Sequence, residues 1–251
     1  MRETIFAFLF FFGLNSVHAQ MPPHDVHLLL SDIAGMSMPG EAKKGMGREL
    51  VEQALVAAGL SYRVEFLPWS RLLATAKRDP KALMLPLSRT KAREKNYHWI
   101  RPIFTAEMGF VSVEEPVDDY ETAKRLNGVG VWQNTLFQTI LEKQGVEHPL
   151  LFAGDERLGK LFESGRITAW FGELNESRYR LKNYQERRQG TALSFYFGRP
   201  LSSTPAWLVA ARDFDPEKIG KIRAALNALY LSGTAEKIYI KHYGFSGFQT
   251  N

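Results

Sequence analysis

The chain has 251 residues, 45% of them hydrophobic and 24% charged, with no cysteine and a net charge of +5. This is an ordinary globular composition, long enough for one large domain or two smaller ones. Without a thiol there are no disulfides, no thiol catalysis, no thiolate metal sites and no lipid-bearing cysteine; without a basic stripe interleaved with aromatics there is no nucleic-acid surface, only a mild positive field suited to small anions.

The start, MRETIFAFLFFFGLNSVHAQ, reads as an export signal. Arg2 supplies a thin positive end, offset by Glu3. Ile5 to Leu14 form an apolar stretch of about ten residues, too short to span a bilayer comfortably. Val17 and Ala19 fit a small-residue cleavage pattern with the cut after Ala19. An N-terminal anchor that stays attached is the alternative. An exported chain without an anchor points to a bacterial periplasm or to secretion.

Val26–Leu30 (VHLLL) reads as a first strand, and Ser31 to Gly47 as a loop rich in Gly, Met and Lys. Arg48–Ala58 has the period of a helix, with Leu50, Val51, Ala54, Leu55 and Ala58 on one face and Gly59 closing it. Tyr62–Phe66 alternates like a strand. Pro68-Trp69-Ser70-Arg71 opens a helix to about Lys77, which Asp79-Pro80 ends. Ala82–Leu85 reads as a short buried strand that delivers Ser88, Arg89 and Thr90 onto a loop. A basic, helix-prone segment with Arg93 and an aromatic turn, Tyr97-His98-Trp99, lead to Pro102 and a long strand, Phe104–Val113. Strand, helix, strand, helix, strand is the pattern of a parallel sheet covered by helices.

The acidic, proline-containing stretch Glu114 to Asp119 suits a crossover, and the pattern then restarts. A helix (Tyr120–Leu126), a strand (Gly128–Trp132), a helix (Leu136–Lys143), a strand (Leu150–Ala153) and a helix (Asp155–Glu163) follow. Ile167–Phe171 reads as a strand, Glu173–Leu181 as a helix and Thr191–Tyr196 as a strand. Gly198 to Thr204 is irregular, Ala206–Ala211 is a strand, and the helices Pro216–Leu231 and Thr234–His242 close the chain around Ser232-Gly233. A second α/β unit enclosed between two crossovers predicts two lobes joined by two hinge strands, with a cleft between them. The lobes are expected at 20–114 plus 203–251 and at 115–202, behind the leader at 1–19.

Several residues have the chemistry for that cleft. An arginine near a strand's carboxyl end, Arg93, can take a carboxylate with two parallel hydrogen bonds; it can equally be a solvated member of the cluster Arg89, Lys91, Arg93, Lys95. Gln133-Asn134-Thr135 lies between a strand and a helix, where free N–H groups attract an anion or where Asn or Thr simply caps the helix. Glu173 can receive a ligand ammonium, or is merely favourable at a helix N-terminus. Of Trp69, Trp132 and Trp170, one or two are expected as cleft walls and the rest as core. Gly128 and Gly130 lack the third glycine of a dinucleotide fingerprint. The histidines are scattered without metal-ligand spacing, and neither a GxSxG elbow nor a phosphate-cradling GxxxxGK[ST] loop is present.

Taken together, LSRTKAREKNYHWIRPIF, RLNGVGVWQNT, GRITAWFGELNES and IRAALNALYLSGTAEKIYIKHYG, in this order and spacing, resemble the periplasmic solute-binding proteins of type II fold, bacterial extracellular solute-binding family 3, the polar amino acid binding group. EFLPWSR is more like stand-alone members of the superfamily than like transporter components. The resemblance covers nearly all the mature chain. It implies an α/β fold of two lobes, each a mainly parallel sheet flanked by helices, closing by hinge on a small polar solute, with no metal or cofactor. It implies a monomer whose partner is an inner-membrane permease or receptor. Arg93 falls on the family's carboxylate-binding arginine, Ser88 on a loop contact, Thr135 on a second carboxylate contact, and Glu173 where amino acid binders have an aspartate for the ammonium; Thr90, on the same loop as Ser88, is a further candidate. Thr168 replaces the usual Asp of the "DA" pair, and the first loop has Met36 and Met38 instead of an aromatic lid, so ligand identity does not carry over. Relatives also include a periplasmic dehydratase acting on cyclohexadienyl substrates, in which Glu173 or Glu176 would be the general acid; that is the enzymatic alternative.

Overall fold

The computed structural model describes residues 24–153, 158–187 and 193–244. The leader and its cut after Ala19, the start of the helix expected from Asp155 and the start of the strand expected from Thr191 lie outside the described residues. The first unit runs β1 (Val26–Leu30), α1 (Met46–Ala57), β2 (Tyr62–Phe66), α2 (Trp69–Ala76), β3 (Ala82–Ser88), a short 3-10 turn (Glu94–Asn96) and β4 (Tyr97–Ser112). The second runs α3 (Tyr120–Lys124), β5 (Val129–Trp132), α4 (Leu136–Lys143), β6 (Leu150–Phe152), α5 (Leu158–Glu163), β7 (Ala169–Glu173), α6 (Leu174–Arg187) and β8 (Tyr196–Phe197). The chain then returns through β9 (Ser202–Ala211), α7 (Pro216–Leu231) and α8 (Thr234–Tyr243). Local chemistry sets several of these ends. Asp215 accepts the backbone N–H of Glu217, with Pro216 in the first turn, to start α7; Gly244, at φ 81°, ends α8 in a conformation that suits glycine.

The strands join in the order β2-β1-β3-β9-β4-β7-β5-β6, with β8 pairing beside β4. β1 is parallel to β2 and β3, and β5 is parallel to β6 and β7. β9 runs antiparallel to β3, and β4 antiparallel to β7. The same arrangement is thus built twice: β2-β1-β3 beside β9, and β6-β5-β7 beside β4. The buried core divides accordingly. Leu28, Leu50, Leu83 and Ile222 belong to one cluster that includes β4 as far as Ile103. From Met108 onward, β4 packs with Phe110, Val131 and Phe171 in the other lobe. β9 makes the reverse passage, Leu201 before it touching the second lobe and Leu208 the first. β4 and β9 pair antiparallel from Tyr97↔Ala211 to Met108↔Ser202, so two hydrogen-bonded strands connect the lobes. Among the described residues no helix is long and apolar enough to cross a membrane.

Three expectations need correction. Tyr97-His98-Trp99 is not a turn but the start of β4, and the strand continues through Pro102. Proline has no N–H to give a ladder; the register against β9 slips between Trp99 and Arg101 and between Pro102 and Phe104, which lets the strand pass it. β9 begins at Ser202, inside the stretch expected to be irregular, because β4 offers it a partner there. β7 starts at Ala169 and ends on Glu173, two residues later at each end than expected, so Glu173 closes a strand.

Because Leu28 is fully buried in the middle of β1, Leu28→Ala is expected to cost about 2–5 kcal/mol. Urea unfolding midpoints with an unchanged slope would measure it; a loss under about 0.5 kcal/mol would be at odds with this core.

Candidate functional site

A cavity of about 310 Å³ lies between the lobes. It is built from strand ends. In the first lobe, Ser31 and Asp32 follow β1, Phe66 ends β2 and Ser88 ends β3; in the second, Trp132 ends β5, Phe152 ends β6 and Glu173 ends β7. Parallel strands leave their carboxyl ends on one edge, so the two edges face each other across the cleft.

On the first lip, Arg93 is half-buried and lines the cavity. Its Nη1 donates to the Ser88 carbonyl at 3.2 Å. No carboxylate among the described residues pairs with it. Burial pulls its pKa below the ordinary guanidinium value, and the Tyr97 phenol acts the other way. The neighbouring Arg89, by contrast, is exposed, engaged by Glu94 and stacked between Trp99 and Trp207. Of the four basic residues in this stretch, Arg93 is the one that lines the cavity.

On the facing lip, Thr135 caps α4: its hydroxyl accepts the N–H of Gln138 and donates to the Trp132 carbonyl at 2.7 Å. Gln133 lines the cavity beside it. Glu173 is buried, its Oε2 accepting the backbone N–H of Glu176 at 2.5 Å, while Oε1 has no hydrogen-bond partner among the described residues. Burial pushes this carboxyl up to about 8, against the pull of nearby backbone N–H groups and with the Glu176 carboxylate adding to the rise. Glu176 is itself held by Arg180 Nε at 2.7 Å. Arg180 also stands over Trp132, and its Nη2 donates to the Asp32 carbonyl of the other lobe at 3.4 Å.

Seven of the nine residues expected at the site line the cavity: Arg93, Ser88, Trp69, Trp132, Gln133, Thr135 and Glu173. Thr90 and Asn134 do not. The Thr90 carbonyl accepts the N–H groups of Arg93 and Glu94 and so shapes the turn that holds the guanidinium. Asn134, at φ 59°, turns its side chain to Ser70 Oγ at 3.1 Å and its carbonyl to Trp69 Nε1 at 3.1 Å, tying the lobes together beside the cavity. Trp170 is core, packed edge-on against Trp132. Unexpected wall residues are Phe66, Phe104, Phe137, Phe152 and Tyr243. Phe66 and Phe152 share the strand-end position of Trp132, which is a signal the sequence carries. Tyr243 arrives from the last described helix, where no local pattern marks it. Met36, in the loop without an aromatic lid, is buried and also lines the cavity. Among the described residues no group of three His, Cys, Asp or Glu is placed to hold a metal ion.

The fold is that of the two-lobed periplasmic binding proteins. A histidine kinase sensor domain described as similar to periplasmic binding proteins superposes with a TM-score of 0.76 at 14% identity, over 88% of this chain and 97% of that one. ArtJ of Geobacillus stearothermophilus, an arginine-, lysine-, histidine-binding protein, gives 0.72 at 20% identity, over 88% and 96%. A mutant of ArgBP from T. maritima gives 0.75 at 16%, over 88% and 95%. No protein-family model matches the chain, and no curated protein sequence matches it significantly.

Proposed function

We propose that this protein binds a small polar solute bearing a carboxylate, of amino-acid size, in the interlobe cleft and closes on it by hinge motion, for uptake or sensing and without turning it over. The observation that carries this reading is Arg93: a half-buried guanidinium on the cavity wall, with no carboxylate among the described residues against it. Such a cation is costly to desolvate unless a ligand supplies the counter-charge, and a carboxylate does so bidentately. Ser88 and the start of α4 at Thr135, with Gln133, complete the anion's surroundings, and Trp69 and Trp132 hold the ligand's body. Residues 20–114 and 203–251 form one lobe and 115–202 the other. The chain is exported with its leader cut after Ala19, acts as a monomer and hands its occupancy to an inner-membrane permease or receptor. The fold neighbours, one of them named as an arginine-, lysine-, histidine-binding protein and one as a histidine kinase sensor domain, are consistent with either destination.

A thermal-shift screen of amino acids, organic acids and short peptides tests it. A ligand at a hundredfold excess over its dissociation constant stabilises the fold by about 2.7 kcal/mol, which for a chain of this size raises the midpoint by roughly 5–10 °C. No shift from any carboxylate, with no compaction in solution scattering, would count against the reading.

Trp69→Phe keeps the ring but removes the bond from Nε1 to Asn134, which bridges the lobes. About 1 kcal/mol of closure is expected to go with it, so affinity falls roughly fivefold, mainly through faster release. Calorimetry and stopped-flow dissociation on the screened ligand check this; an unchanged release rate would show that the bond does not hold the cleft shut.

A further inference from the structure

This inference rests on the carboxylate-binding reading and concerns the facing lip of the same cleft. Glu173 is 5% exposed and lines the cavity, with Oε1 unpartnered among the described residues. The charged and titratable groups around it come from four directions. On α6, Glu176 stands next to it but is held by Arg180. From β4 comes Glu107, whose backbone N–H favours the ionised carboxyl and whose carboxylate acts on Tyr239, and from α8 come Tyr239 and Tyr243. Across the cavity are Asp32 and Arg93. The cation on its own lip, Arg180, is therefore already engaged, and the adjacent charge is of like sign. An ionised Glu173 would be dry and, despite the backbone N–H groups near it, without a paired cation among the described residues, which is expensive; the neutral acid is the form these surroundings favour.

In the neutral acid, Oε2 accepts the Glu176 N–H and Oε1 is left to carry the proton. No group among the described residues accepts it. A buried donor without an acceptor is a demand placed on the ligand. Other walls of the same cavity, among them Phe66, Trp69, Trp132 and Phe152, are apolar and aromatic. We propose that Glu173 serves as a hydrogen-bond donor to the ligand through Oε1, so that the cleft selects 2-oxo and 2-hydroxy carboxylates with an apolar or aromatic body over the matching amino acids. An ammonium at this place would first have to draw the proton off Glu173 and would sit near the Arg180 guanidinium.

Matched sets decide it: phenylalanine, 3-phenyllactate and phenylpyruvate, and leucine with its 2-hydroxy and 2-oxo counterparts, titrated calorimetrically from pH 6 to 9. A hydroxy or oxo acid is expected to bind at least tenfold tighter than its amino acid. Its affinity should be level up to about pH 8 and then fall about tenfold per pH unit as the donor is lost. Glu173→Gln, which keeps an N–H donor in place, should remove that fall. Glu173→Ala should weaken binding tenfold or more at every pH below 8. Preference for the amino acid, with affinity rising from pH 6 to 8, would overturn the inference, as would failure of every member to bind. Arg93→Ala separates the two claims. If binding needs Arg93 but amino acids win, the carboxylate clamp stands and the donor role falls. If oxo acids win but Arg93 is dispensable, the clamp falls and the donor role stands.

Discussion

Arg93→Ala is expected to weaken binding of the carboxylate ligand at least a hundredfold and to abolish its thermal shift at ordinary screening concentrations. Two parallel charge-assisted hydrogen bonds from one guanidinium, each contributing about 1.5–3 kcal/mol, come to at least 3 kcal/mol, and every 1.4 kcal/mol is tenfold in affinity. Arg93→Lys keeps the charge but not the fork, so about tenfold of the loss should remain. The unliganded protein should not suffer. Among the described residues the Arg93 guanidinium makes one hydrogen bond, to the Ser88 carbonyl, and its burial without a counter-charge is unfavourable. The alanine variant should therefore melt at the same temperature as the parent or slightly higher when no ligand is present. Calorimetric titration and ligand-free melting measure the two halves. A dissociation constant within threefold of the parent's would sink the clamp.

Glu173→Gln is expected to change how stability depends on pH. The carboxyl sits at about 8 in the fold, against 4.5 when free. A group whose pKa is raised by folding gives stability that is fully present below the unfolded value and lost as pH rises through the folded one. Between about pH 4.5 and 8 the folded parent keeps a proton that the unfolded chain has released, and its stability falls by up to about 1.4 kcal/mol per pH unit. The whole effect is of the order of 5 kcal/mol, large against the 5–15 kcal/mol of a typical domain. Glutamine cannot titrate. The stability difference, variant minus parent, should grow from about pH 5 to about pH 8 and level off above. Groups lowered by their partners, such as Asp25 beside Lys218 and Ser61, are shared by both proteins and cancel in the difference. Denaturant unfolding of both across pH 5 to 9 supplies the curve; parallel curves would mean that Glu173 is ionised in the fold.

Much of the architecture was legible because it follows from local pattern. β1, β2, α4 and α7 fall on the expected residues, since a short apolar run, alternation or a helical stripe with a cap leaves little choice. What was misread depends on long-range pairing. β4 begins seven residues earlier than expected, at Tyr97 rather than Phe104, because β9, far along the chain, supplies a ladder that overrides both an aromatic turn signal and a proline. The site divides in the same way. Trp132 and Glu173 at strand ends and Thr135 at a helix start could be read as cavity residues from the edge pattern, and Arg93 from the family resemblance; all four line the cavity. Thr90 and Asn134 sit on the right turns but spend their polar groups on the turn and on the opposite lobe. Phe104 and Tyr243 reach the cavity from the connecting strand and the closing helix, which no motif ties to a cleft.

The paired stretch of β4 and β9 where the cores change over, around Thr105↔Pro205 and Ala106↔Thr204, also sets a lever apart from recognition. Thr105, Pro205 and Thr204 do not line the cavity, yet in the hinge-closure proposal bending there is what separates open and closed populations. If the closed form is the binding-competent one, observed affinity is the intrinsic affinity scaled by the fraction of molecules already closed. A substitution that stiffens or pre-bends this ribbon should therefore multiply the affinity for every ligand by the same factor. It would leave the ranking of ligands untouched, a dimmer for the whole response and not a change in what the protein recognises.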